Sequence, residues 1–221
     1  MSQSGHIPYT VAVLLFAVTP MPDHVARLTL PTIMTLARLA SIPVFVAVFY
    51  APYRWAPITA AVIFVLAGLT DMLDGYLARR LQQTTRFGAF LDPVADKLMV
   101  AAALVMLVQA HATIWLAAPA LVIISREIAV SALREWMAEI GQRARVAVGS
   151  IGKVKTVLQI SAITGLLAVR PAKDADGDLV MTAFDWFTYG LLYAATLLTL
   201  WSMFLYLKAA WPELWPSRKP G

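Results

Sequence analysis

Four aspartates stand in two close pairs. Asp71 and Asp74 are three residues apart, and Asp92 and Asp96 are four apart. On helices each pair shares a face. A linker of about a dozen residues between the pairs lets the two helices pack antiparallel and gathers the four carboxylates. Four such charges near a membrane repel strongly. They need cations, and oxygen ligands favour hard divalent ions such as Mg²⁺ or Mn²⁺. A pair of such ions clamps the attacking and leaving oxygens of a displacement at phosphorus. Gly75 and Ala78 leave one face of the first helix bare, so a flat group such as a nucleotide can lie against it. Arg79 can grip a phosphate bidentately. Any one of these residues has a plainer reading. Asp92 before Pro93 could be an N-cap with proline at the first helical position, and Asp96 beside Lys97 could decorate a helix start. Four aspartates with Gly75, Ala78, Arg79 and Gly88 at these spacings favour a site.

Further cations recur along the chain. Arg126 and Arg134 are eight residues apart, about two helical turns. Lys153 and Lys155 open a later helix. Arg126 lies in apolar sequence, where an unpaired charge is costly, and Glu127 offers it a structural partner. Three cations at one depth, Arg126, Arg134 and Lys153, suit a second phosphate. Arg143 and Arg145 read as membrane-side anchors. Arg38, inside an apolar stretch, either pairs with a carboxylate or lines the same pocket.

The elements that must hold these residues are written in the composition. The chain has 221 residues, enough for one domain or two. Sixty per cent are hydrophobic and 14% charged, far from a soluble domain. The mean hydropathy of +0.70 agrees. Cysteine is absent, which excludes disulfides, thiolate metal sites and cysteine nucleophiles. The net charge of +5 suggests anionic lipid, not nucleic acid.

Six apolar stretches predict an all-α polytopic membrane protein with six transmembrane helices: Ile33–Tyr50, Pro57–Thr70, Leu98–Ala110, Ala112–Ser125, Thr156–Val169 and Trp186–Leu207. Several span a bilayer only if a charged end is included. With the N-terminus in the cytoplasm, only Arg54, Arg170 and Lys173 of the 18 Lys and Arg face outward. The positive-inside bias therefore predicts a multi-pass protein of the cell (inner) membrane with both termini cytoplasmic. The ionisable helix ends then lie at one depth and imply a polar cavity open to the cytoplasm. Residues 1–27 form an N-terminal extension, interfacial or an artefact of start choice, since Met21 can also initiate. Its run Val11–Val18 is too short to span and lacks a basic flank. The membrane domain covers 28–208, and 209–221 is a cytoplasmic tail. A homodimer is compatible with the sequence.

The spacing Asp71-x₂-Asp74-Gly75-x₂-Ala78-Arg79-x₈-Gly88-x₃-Asp92-x₃-Asp96 resembles the signature of the CDP-alcohol phosphatidyltransferases at every fixed position. The resemblance runs from about Leu28 to Leu207. The segments Thr85–Lys97, Ser125–Glu139 and Ile151–Thr156 are similar to the branch that uses a glycerol phosphate acceptor. The chain departs at Thr29, where that branch carries Asn. The resemblance implies transfer of a phosphatidyl group from CDP-diacylglycerol to sn-glycerol 3-phosphate, with CMP released, using two divalent cations, Mg²⁺ or Mn²⁺. It implies that Asp71, Asp74 and Asp92 bind metal and that Asp96 completes the metal site and acts as general base. It gives Gly75, Ala78, Arg79 and Gly88 to CDP-diacylglycerol. Membrane lipid is the surrounding partner.

Alternatives remain at this point. The signature alone fits other acceptors, such as inositol phosphate, serine or phosphatidylglycerol. A membrane prenyltransferase also pairs two Asp-rich motifs with Mg²⁺, but on helices well separated in sequence. A secondary transporter would carry inverted repeats and broken helices, and neither is found.

Overall fold

The computed structural model of the chain describes residues 30–81, 86–142, 150–174 and 179–214. Over 30–32, 71–81, 86–90, 92–93, 96, 150–153 and 173 the description is of the backbone alone. The expected extension over 1–27, Arg143, Arg145 and the end of the tail lie outside the described residues.

Six helices carry the described chain: α1 (Leu30–Tyr50), α2 (Ala56–Leu81), α3 (Arg86–His111), α4 (Ile114–Glu139), α5 (Ser150–Ala168) and α6 (Ala183–Leu214). Three of them, α1, α4 and α6, are long and apolar enough to cross a membrane. The others hold shorter apolar stretches, Ala56–Thr70, Lys97–His111 and Val154–Ala168. The protein is thus an all-helical membrane protein. A two-stranded antiparallel ribbon, β1 (Ala172–Lys173) with β2 (Leu179–Val180), lies between α5 and α6.

Local chemistry explains several helix ends. Asp185 accepts from the backbone N–H of Thr182 at 2.8 Å, and the N–H of Asp185 donates to Thr182 Oγ1 at 3.2 Å. This reciprocal box starts α6. Gly141, at φ +76°, ends α4 in the left-handed conformation that glycine adopts without penalty. The Gln142 N–H then reaches back to the Met137 carbonyl at 2.8 Å.

Three expectations change. The two aspartate-bearing helices are separated by residues 82–85 only, not by about a dozen, because both run past their apolar cores. Asp92 and Pro93 lie inside α3, as the seventh and eighth residues of a helix that starts at Arg86. The N-cap reading of Asp92 is therefore wrong. Helix α6 also continues beyond Lys208 to Leu214, so the expected tail begins as helix.

The helices pack through small residues. Ala60, Ala61, Ala67, Ala103, Ala120 and Ala162 are buried among Phe45, Phe64, Leu104, Leu107, Leu166 and Leu192. Small side chains allow close helix approach where lipid removes the usual hydrophobic drive. Outward, Ile58, Val62, Leu66 and Leu69 form an exposed stripe on α2, and Leu197, Trp201 and Phe204 are exposed on α6. At the end away from the aspartates, Tyr189 Oη and His111 Nδ1 lie 3.1 Å apart and join α6 to α3.

The tightest approach is between α5 and α6. The Thr188 hydroxyl donates to the Phe184 and Asp185 carbonyls at 3.1 and 2.9 Å. Its methyl lies where a Cβ on Gly165 would collide with it. Gly165→Ala should therefore lower stability by about 1–3 kcal/mol, read as a fall in Tm in detergent. Gly165→Ala/Thr188→Ser keeps the hydroxyl, removes the methyl and should recover most of the loss. A double variant no better than the single would refute this contact as the cause.

Candidate functional site

Short connections join antiparallel neighbours in helical bundles, and α2 and α3 are in contact. Asp74 lies seven residues before the end of α2, and Asp92 six after the start of α3. At 1.5 Å per residue both backbones sit about 10 Å along the helix from the connection. Asp71 and Asp96 each lie ten residues away, about 15 Å. The two pairs thus stand at matched heights on neighbouring helices, just beyond the apolar stretch of α2 and at the edge of that of α3. Gly75, Ala78 and Arg79 continue along α2, and Gly88 sits in the first turn of α3. The side chains of these eight residues lie outside the described ones. A set of carboxylates without thiolates has the chemistry for hard divalent cations. Helix α1, which packs against both α2 and α3, contributes Arg38, fully inside the structure.

A second polar cluster joins α4, α5 and α6. Arg126 is only 8% exposed and Lys155 3%. Arg126 Nη2 donates to Ser202 Oγ at 2.6 Å. Its Nη1 lies 3.4 Å from Glu127 Oε1, and its guanidinium carbon is 5.6 Å from the centre of the Tyr206 ring, within cation–π range. The same Glu127 oxygen accepts from Lys155 Nζ. Ser202 spends its own proton on the Thr199 carbonyl at 3.2 Å, which leaves its oxygen lone pairs for the arginine. Arg126 Nε is buried and meets no acceptor among the described residues.

The sequence-predicted cations separate here. Arg126 is in the buried cluster. Arg134 is exposed, eight residues farther along α4, about 12 Å. Lys153 lies on the first turn of α5, about 200° round the axis from Lys155 and so on a different face. Lys155, named in the sequence only as opening its helix, is the lysine joined to Arg126 through Glu127. Ser202 and Tyr206 were missed altogether. One signal existed: Thr196, Thr199 and Ser202 recur every three residues in an otherwise apolar helix, and all are buried.

The family model for CDP-alcohol phosphatidyltransferases matches residues 28–207. A protein of Yersinia pestis (strain Pestoides F) called CDP-diacylglycerol–glycerol-3-phosphate 3-phosphatidyltransferase is 53% identical over 188 residues, 85% of this chain and 98% of its own length. Proteins of the same name from Yersinia enterocolitica and Pectobacterium atrosepticum are 54% and 53% identical over the same shares.

Proposed function

This chain belongs to the CDP-alcohol phosphatidyltransferase family, and on that premise we propose its reaction: it transfers the phosphatidyl group of CDP-diacylglycerol to sn-glycerol 3-phosphate, yielding phosphatidylglycerophosphate and CMP. The observation that carries the choice of acceptor is the shared name of relatives more than half identical over 85% of the chain. The buried Arg126 cluster supports an acceptor that brings its own phosphate.

Asp71, Asp74, Asp92 and Asp96 would hold two divalent cations, Mg²⁺ or Mn²⁺. Bound there, such ions neutralise the pyrophosphate and stabilise charge on the leaving oxygen. Gly75, Ala78 and Gly88 leave room for the cytidine group, and Arg79 holds a phosphate. Arg126, Arg134 and Lys153 bind the acceptor phosphate and aim its 1-hydroxyl at the phosphorus bearing diacylglycerol. Asp96 takes the hydroxyl proton as general base. The new oxygen–phosphorus bond forms as the bond to CMP breaks, and CMP leaves with that electron pair. Orientation of this kind converts an encounter of two substrates into an intramolecular step.

All six helices cross the membrane in this reading. Both termini and the aspartate-bearing helix ends face the cytoplasm, where the polar cavity opens and the soluble acceptor is found. The cysteine-free chain permits a direct check. Cysteine at Ala175 should react with an impermeant thiol reagent on intact cells, and cysteine at Gln83 should not. The reverse pattern would overturn the topology.

The activity is tested by CMP release from CDP-diacylglycerol with a panel of acceptors. Glycerol 3-phosphate should be used, and inositol phosphate, serine and phosphatidylglycerol should not. Excess EDTA should abolish release and added Mg²⁺ or Mn²⁺ restore it. Turnover with another acceptor alone would reject the assignment, and full activity in EDTA would reject the cations.

A further inference from the structure

The Arg126 guanidinium is pinned from two helices before any substrate arrives. Ser202 on α6 takes Nη2, and Glu127 on α4 faces Nη1 while also holding Lys155 on α5. Arginine carries roughly 2 kcal/mol of rotamer entropy, which a binding site must otherwise overcome when the ligand docks. Here Nε stays buried without an acceptor among the described residues, and the terminal nitrogens each keep a second proton.

We propose that Glu127 is a positioning residue for acceptor recognition: its carboxylate, with Ser202, holds the Arg126 guanidinium so that its remaining donors meet the phosphate monoester of a small alcohol. This rests on the acceptor reading above. Glu127 is the only residue among those described that ties α4 to α5 by an ion pair with Lys155 while also facing Arg126. It draws two buried cations toward one oxygen, and its loss would leave them to repel each other. Its 24% side-chain exposure places it at the rim of the cluster, not in its depth. The rise in substrate affinity comes from an arginine already in place, while Glu127 itself bears the wrong charge to touch a phosphate.

The test is steady-state kinetics of the purified full-length protein with each substrate varied in turn. Glu127→Gln keeps the shape and removes the charge. It should raise KM for glycerol 3-phosphate about tenfold, with kcat and KM for CDP-diacylglycerol within about twofold of wild type. Glu127→Asp should recover part of the loss. Ser202→Ala, which removes the other tether without a charge change, should raise the same KM about threefold. If Glu127→Gln fails to accumulate, Ser202→Ala decides: a selective rise supports the proposal and an unchanged KM overturns it. An equal effect of Glu127→Gln on both substrates also overturns it. Wild-type protein that releases no CMP with glycerol 3-phosphate would instead sink the functional reading.

Discussion

Asparagine at Asp71, Asp74 or Asp92 should lower CMP release by several orders of magnitude while the protein still inserts and folds. The change keeps side-chain volume and removes one negative charge, so the helix and its packing have no reason to fail. The cation, however, loses a charged oxygen ligand. It binds less tightly, and what binds stabilises the leaving oxygen less. Loss of one preorganised electrostatic contact to a transition state costs about a hundred- to a thousandfold, and weaker cation binding multiplies that. The check is CMP release at saturating Mg²⁺, beside helical content by circular dichroism and elution as a single species. Turnover near wild type in any of the three would remove that residue from the site. The same exchange at Asp96 should be as damaging, and it should also flatten the acid limb of the pH–rate profile if that residue takes the proton.

Truncation of the acceptor-binding cations has the second-largest expected effect, and it should fall on one substrate. Arg126→Ala, Arg134→Ala and Lys153→Ala should each raise KM for glycerol 3-phosphate and leave KM for CDP-diacylglycerol nearly unchanged. A charge-assisted contact worth about 1.5–3 kcal/mol corresponds to roughly ten- to over a hundredfold. Arg126 should stand at the upper end, since it is buried and its loss leaves Ser202 and Glu127 facing a void. Arg134 is exposed, where water screens the contact, and should stand at the lower end. Arg134→Lys should rescue only partly, because a point charge cannot reproduce a bidentate grip. Kinetics with each substrate varied in turn decides the matter. Equal weakening of both substrates would make these residues anchors of the membrane domain.

The aspartate spacing, the six apolar stretches and the family were legible in the sequence, because each is a local pattern. An i,i+3 or i,i+4 pair needs only a helix to share a face, and an apolar run needs only its length. Helix ends were less legible. Hydropathy marks where a helix leaves lipid, not where it stops, so the connection between the aspartate-bearing helices was expected to take about a dozen residues where it takes four. The ribbon of β1 and β2 has two residues per strand, too few for any alternation to register. The contact between Arg126 and Ser202 spans 76 residues. Nothing near Ser202 announces it, since a lone hydroxyl in a transmembrane helix more often bonds its own backbone, as Thr196 does to the Leu192 carbonyl at 2.8 Å. Lys155 was visible but ambiguous. Only the rotation of α5 separates its face from that of Lys153.

The central claim is that the acceptor keeps its phosphate and gains a phosphatidyl group. Glycerol 3-phosphate radiolabelled on phosphorus, incubated with the purified protein, CDP-diacylglycerol and Mg²⁺, tests it most directly. The label should move into the lipid phase in amounts equal to the unlabelled CMP released, and neither product should form without the other substrate. Label that stays in the aqueous phase, or CMP released at the same rate with no acceptor present, would contradict the assignment.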